Sequence, residues 1–67
     1  MRIEFNYEIM SVSTVRWYYD SKSIFFTDMG GTVYQFHCTC FTERDDILQK
    51  LRDTGYVQLN GKVDVVV

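Results

Sequence analysis

Ring side chains concentrate in the middle of the chain, and this constrains the fold more than any other feature. Residues 16–41 hold nine aromatic or imidazole side chains: Trp17, Tyr18, Tyr19, Phe25, Phe26, Tyr34, Phe36, His37 and Phe41. A single helical pattern follows them, and one helix covers only one face of a sheet. The sequence therefore predicts more ring surface than a core needs, with the surplus exposed on a surface.

The length of 67 residues predicts one domain, spanning residues 1–67, near the lower size limit for a core without other support. Domains of this size often gain stability from disulfides, a metal or oligomerisation. Two cysteines cannot build a disulfide framework, and no metal-binding motif is evident. Oligomerisation is therefore the expected source of extra stability.

Period-two alternation predicts strands at residues 2–10, 14–19, 23–27 and 32–40. Residues 11–13 are predicted to form a turn between the first two strands. Paired glycines at Gly30 and Gly31 predict a hairpin turn between the last two, because such turns require positive φ. These four strands account for most of the predicted sheet.

Residues 43–54 are the predicted helix. Thr42 and Asp45 match a capping box, and Gly55 is placed as the C-terminal cap. The apolar stripe consists of Ile47, Leu48 and Leu51. Residues 56–59 and 62–67 are predicted to close the fold as a hairpin around Asn60-Gly61.

The predicted architecture is α+β: an antiparallel sheet of four to six strands in the order β-β-β-β-α-β-β, with one helix on a single face. The inward face is predicted to hold Ile3, Phe5, Tyr7, Ile9, Val15, Trp17, Tyr19, Tyr34 and Phe36. Ile24, Phe25 and Phe26 cannot all point inward, because neighbouring strand residues face opposite sides. Either Phe25 or Phe26 is therefore exposed on the other face, beside Tyr18 and His37.

Residues 11–57 resemble the small KTSC-type domain, a short antiparallel meander followed by a helix. The matching segments are Trp17-Tyr18-Tyr19-Asp20, Ile24-Phe25-Phe26, Gly30-Gly31-Thr32-Val33-Tyr34-Gln35-Phe36 and Gly55-Tyr56. The chain departs from that pattern in lacking the proline after the last meander strand. The resemblance implies a small binding module and transfers no catalytic residues.

The segment His37-Cys38-Thr39-Cys40 is the one candidate for metal or thiol chemistry. In a regular strand His37 points away from both cysteines, so it can neither complete a zinc site nor activate a thiol. We therefore expect two buried, reduced cysteines, no metal and no cofactor. No phosphate-binding loop, nucleotide fingerprint or hydrolase motif occurs, and we expect no enzyme activity.

The net charge of −2 argues against a nonspecific nucleic-acid binder, which is normally basic. No apolar run is long enough to span a bilayer and no signal peptide is recognisable, so we expect a cytoplasmic protein. Small proline-free chains without an enzyme signature are common among bacteriophage and mobile-element proteins that block one host protein. The frequency of such chains in that class favours an inhibitor or adaptor as the function.

The leading hypothesis is a non-catalytic protein-binding module acting through the exposed aromatic face, because arginines and aromatic rings anchor many interfaces. The candidate partner-binding residues are Arg16, Tyr18, Lys22, Phe25, Val33, Gln35 and His37. One alternative is a single-stranded nucleic-acid binder that stacks bases on the same rings. The other is a homodimeric structural protein without a ligand.

The last predicted strand, residues 62–67, is also a candidate for self-association. It ends on Val65, Val66 and Val67 and has only Lys62 to discourage pairing at a sheet edge. If it lies at the edge, pairing across a twofold axis produces a homodimer; if it lies centrally, valines on both faces are ordinary. The sequence leaves both arrangements open.

Overall fold

A computed structural model describes all residues, 1–67. The elements are β1 (Arg2–Phe5), β2 (Glu8–Trp17), β3 (Ser23–Asp28), β4 (Val33–His37), α1 (Phe41–Thr54), β5 (Tyr56–Gln58) and β6 (Val63–Val65). They form one six-stranded sheet in the order β5-β1-β2-β3-β4-β6, with α1 against it. The predicted α+β class and element order are confirmed. The sheet is mixed, however, because β1 and β5 run parallel while the other pairs are antiparallel.

The sheet is strongly curved. Its two edge strands, β5 and β6, are joined by a connection too short to span a flat sheet. Five interstrand steps separate the edges of a flat six-stranded sheet by about 24 Å. The connection from Gln58 to Val63 reaches at most about 18 Å when fully extended. The rings of Phe5 in β1 and Tyr34 in β4 accordingly have centroids 5.9 Å apart, although two strands lie between them.

The core fills the concave side of this sheet. Its buried apolar residues are Ile3, Val12, Ile24, Phe26, Phe36, Cys38, Ile47, Leu51, Val57 and Leu59. Phe5, Val15 and Leu48 pack against them. The predicted apolar stripe of the helix is confirmed, since Ile47 and Leu51 are buried and Leu48 is half-buried.

The single strand predicted over residues 2–10 is wrong, because a tight turn divides it. Asn6 and Tyr7 both have positive φ, 51° and 64°, and Phe5 pairs with Glu8 across the turn. Two consecutive positive φ values define a type I′ turn, which matches the twist of hairpin strands. Tyr7 and Ile9 were expected to face inward but are 99% and 61% exposed.

The turn predicted at residues 11–13 is also wrong, because β2 continues through it. Val12 pairs with Asp28 and Thr14 with Thr27, which leaves Ser13 as a bulge. The Ser13 hydroxyl lies 3.1 and 3.2 Å from the carbonyl oxygens of Thr27 and Asp28. Because a bulge adds one residue, Val12 and Val15 both face the core despite their odd spacing.

The closing hairpin predicted around Asn60-Gly61 does not form, since β5 and β6 lie at opposite edges of the sheet. The amide of Leu59 donates to the carbonyl of Glu4 at 2.7 Å, so the chain continues beside β1 after β5. Val57 and Leu59 are each only 4% exposed. Burial of these two side chains against β1 outweighs the local turn signal.

The helix begins at Phe41, and Cys40 is its N-cap in place of the predicted Thr42. The Glu43 amide donates to Sγ of Cys40 at 3.4 Å, and the Glu43 carboxylate accepts from the Thr39 amide at 2.7 Å. Gly55 ends the helix at φ 73°, as predicted. The fourth strand stops at His37, so Cys40 is exposed and only Cys38 is buried as expected.

The single helix is also the only candidate for a membrane span, and it is neither long enough nor apolar enough to cross a bilayer.

Candidate protein-binding surface

A shallow groove lies on the convex face of the sheet, opposite the helix. Four of the seven candidate residues line it: Arg16, Tyr18, Phe25 and Val33. Thr14 and Thr27 complete the lining, and the groove encloses about 360 Å³. We call it the outer groove. Three neighbouring strands contribute to it, because residues two apart on a strand share a face.

Phe25 is the outward-facing ring of the apolar run in β3. Ile24 and Phe26 have no exposed surface, whereas Phe25 is half-buried in the outer groove. Its ring packs edge-on against the Tyr18 ring, with centroids 6.0 Å apart and planes at 75°. Tyr18 is 56% exposed and Phe25 is half-buried, so the pair presents aromatic surface to solvent.

Arg16 is the only charged residue of the outer groove, and it forms no ion pair. It pairs with Phe25 across the β2–β3 ladder, which places its stem beside that ring. An exposed guanidinium that lines an open groove and has no ion-pair partner keeps its donors available for a carboxylate. The groove thus combines apolar surface with one uncompensated positive charge.

Gln35 and His37 lie on the same face but belong to a separate hydrogen-bonded group. Gln35 Nε2 donates to Ser23 Oγ at 2.9 Å, and that oxygen is 3.2 Å from His37 Nδ1. Nε2 of His37 is 3.6 Å from a carboxylate oxygen of Asp64 in β6. Ser23 is only 7% exposed, and its hydroxyl joins β3 to β4 through Gln35 and His37. His37 extends this group to Asp64 in β6.

Lys22 lies apart from the outer groove, at the start of the helix. Its ammonium is 5.6 Å from the centroid of the Phe41 ring. The carbonyl of Lys22 accepts a hydrogen bond from the Cys38 amide at 3.0 Å. The structure therefore separates Lys22 from the other candidate residues.

Arg44 supports the candidate surface from the helix and was not among the residues predicted from the sequence. It is 6% exposed, and its Nη1 lies 3.1, 3.0 and 2.8 Å from the carbonyl oxygens of Tyr18, Tyr19 and Ser21. Nε and Nη2 both donate to Oδ1 of Asp45, at 3.0 and 2.9 Å. A cation near a helix N-terminus interacts unfavourably with the helix dipole. The position of Arg44 in the first turn was therefore the one sequence feature that could have indicated a special role.

Two rings enclose the Arg44 guanidinium. Its central carbon is 4.9 Å from the Trp17 ring centroid and 5.0 Å from that of Phe41. These contacts hold the loop between β2 and β3 against the helix. Tyr19, expected to face inward as part of a strand, is instead 88% exposed, because β2 ends at Trp17 and Tyr19 lies in the loop that follows.

The two thiols differ in environment. Burial, and secondly the Glu43 carboxylate, raises the pKa of Cys38 from 9.0 to about 11. A neutral, buried thiol is a poor nucleophile and metal ligand. The Cys40 thiol is exposed, and it accepts the Glu43 amide as a helix cap.

No family model matches this chain, and neither a curated protein nor a solved structure matches it.

Proposed function

We propose that this chain is a small, non-catalytic protein-binding module, an inhibitor or adaptor that acts through the outer groove. The observation that carries the proposal is the unpaired Arg16 guanidinium beside the exposed Tyr18–Phe25 ring pair. Arginine and aromatic residues dominate the binding energy of many interfaces. The resemblance of residues 11–57 to KTSC-type domains supports the same functional class. We also propose a cytoplasmic location.

The chemistry of the groove defines the partner. Phe25, Val33 and the methyl groups of Thr14 and Thr27 accept an apolar side chain. The Arg16 guanidinium selects a carboxylate next to that side chain, because no residue of this chain neutralises it. We therefore expect the partner segment to carry an aspartate or glutamate adjacent to an aliphatic or aromatic residue.

The loop behind the groove is held in place before binding. Arg44 accounts for this through its contacts with the main chain of Tyr18, Tyr19 and Ser21. A prearranged binding residue loses less conformational entropy on association than a mobile one. The buried arginine thus supports affinity from a position that the partner does not touch.

The test is affinity capture from a native lysate, followed by a binding titration with the captured protein. Tyr18→Ala and Arg16→Glu should each weaken binding at least about 30-fold, the effect of an interface anchor. Tyr7→Ala is the matched control, because Tyr7 is a 99% exposed tyrosine in the β1–β2 turn, outside the groove. Thermal melts of all three variants should remain close to that of the parent.

Two results would contradict the proposal. If nuclease treatment abolishes capture and a single-stranded oligonucleotide binds instead, the surface belongs to a nucleic-acid binder. If no partner is captured and Tyr18→Ala dissociates a homodimer, the groove is a subunit interface.

The affinity for the partner should also fall as salt rises, since Arg16 is solvent-exposed and ionic contacts of exposed groups are screened.

A further inference from the structure

The edge of β6 is an open pairing surface. β6 is the last strand of the sheet and pairs only with β4. Val65, Val66 and Val67 are 65%, 42% and 81% exposed. An edge strand with apolar side chains and no proline presents unpaired N–H and C=O groups to another strand.

The direction of the unpaired groups can be read from the β4–β6 ladder. The Val66 amide donates to the carbonyl of Val33 at 2.9 Å, and Gln35 pairs with Asp64 two residues earlier. Because backbone groups alternate along a strand, Asp64 and Val66 face β4. Val63 and Val65 therefore direct their N–H and C=O groups outward.

Charge and backbone direction together select one of the antiparallel registers that use these outward-facing groups. A twofold axis at Asp64 would place two aspartates opposite each other, which is unfavourable. An axis at Val65 would need the backbone of Val67 to face outward, but the Val67 carbonyl accepts from the Val33 amide at 3.1 Å. An axis at Val63 avoids both conflicts.

We propose that β6 binds β6 of a second copy of this chain, antiparallel, across a twofold axis at Val63. Lys62 then lies opposite the partner's Asp64, and Asp64 opposite the partner's Lys62. Lys62 and Asp64 already share a face, since their side chains are 3.6 Å apart, and Lys62 is 83% exposed. Each pair occupies a non-hydrogen-bonded position, where opposed side chains are closest.

The dimer joins two six-stranded sheets into one continuous sheet. The twofold axis of such a pair is perpendicular to the sheet, so the convex faces of both copies lie on the same side. If the outer groove binds a protein as proposed above, the dimer presents two such grooves and gains avidity toward a partner with repeated sites. The dimer itself depends only on β6.

The experiment is sedimentation equilibrium across a dilution series, with the full chain. The parent should shift from its 8.0 kDa monomer to twice that mass as concentration rises. Lys62→Glu and Asp64→Lys should each weaken dimerisation about 10-fold or more, because each places like charges opposite one another twice. The double variant Lys62→Glu/Asp64→Lys should restore it, which a general loss of stability cannot do.

Val65→Pro provides a second test. It removes an outward N–H without removing a β4 ladder hydrogen bond, so it should abolish the dimer while thermal melts confirm that the fold remains. A monomeric mass at every concentration overturns the proposal. A dimer that is indifferent to Lys62→Glu, or one that Tyr18→Ala dissociates, also overturns it.

Discussion

Arg44 holds the main chain of Tyr18 while leaving its ring free: Nη1 of the buried arginine lies 3.1 Å from the carbonyl oxygen, yet Tyr18 is 56% exposed. The residue that supports the candidate site and the residue that forms it are thus far apart in sequence. A substitution at either position can lower partner affinity, but only one should lower stability. This difference separates support from contact experimentally.

Arg44→Ala should lower the free energy of unfolding by about 3 kcal/mol or more, because three loop carbonyls lose a charged donor. A domain of this length has a total stability of about 3–10 kcal/mol, so partial unfolding at 37 °C is expected. Urea denaturation measures the change. Lys50→Ala, on the exposed side of the same helix, should stay within about 0.5 kcal/mol of the parent. Equal effects of the two substitutions would refute the role assigned to Arg44.

Leu51→Ala should cost about 2–5 kcal/mol, the usual range for a truncated buried leucine. Leu51 is 5% exposed and lies in the core formed with the sheet. Leu48→Ala is the comparison, because Leu48 is only half-buried on the same helix face and should cost less. A melting temperature unchanged by Leu51→Ala would show that the helix does not pack as described.

Gly61→Ala should destabilise the protein by about 1–3 kcal/mol, since φ at Gly61 is 143° and strains any other residue. A β-carbon there would also approach Cε1 of Phe36 to 3.2 Å. Gly30→Ala is the control, because its added β-carbon meets only Oδ1 of Asp28 at an ordinary 3.5 Å. Thermal denaturation of both variants provides the comparison, and equal melting points would contradict the expected strain.

Tyr7→Gly should stabilise the protein by about 0.5–1 kcal/mol, because a type I′ turn favours Asn-Gly at its two central positions. Tyr7 has φ 64° and is 99% exposed, so the substitution removes almost no packing. Tyr19→Gly should have the opposite sign, since Tyr19 is similarly exposed but has no positive φ to relieve. Chemical denaturation of the two variants tests the predicted reversal.

Stability should fall as pH rises from about 9 to 11. The pKa of Cys38 is raised from 9.0 to about 11, so the folded state retains a proton that the unfolded state releases in this range. The pKa of Tyr56 is also raised, first through its hydrogen bond to Glu4, and acts in the same direction above pH 10. Unfolding measured across this range should show a smaller decline in Cys38→Ala and in Tyr56→Phe. A parent profile that rises with pH would contradict both assignments.

Local patterns were sufficient for much of the fold. The alternation around Ile24 to Phe26 predicted that one of the two phenylalanines faces outward, and the structure shows that it is Phe25. The helix stripe at Ile47 and Leu51 and the Gly55 cap also depend on neighbouring residues, and both appear where predicted. The outward-facing Arg16 and Tyr18 also followed from the alternation predicted over residues 14–19, although β2 ends at Trp17.

The predictions that were wrong concern segments whose structure depends on contacts with residues far away in the sequence. Asn6 occupies a position where the alternating pattern of a strand expects a polar residue, so the pattern gave no sign of a turn there. The turn is defined by the pairing of Phe5 with Glu8. Asn60-Gly61 is a strong hairpin signal, but Val57 instead pairs with Ile3, more than fifty residues earlier. Arg44 could not be recognised as a loop anchor, because its three carbonyl acceptors lie 23 to 26 residues away.

The parallel pairing of β1 with β5 has a consequence for biosynthesis. β1 leaves the ribosome before its partner from Tyr56 to Gln58, which is made more than fifty residues later. Until then the nascent meander has one vacant position beside β1. Because contacts between such distant segments form slowly, the β1 edge stays unpaired until Tyr56–Gln58 has emerged, and it is the segment that a chaperone would meet during translation.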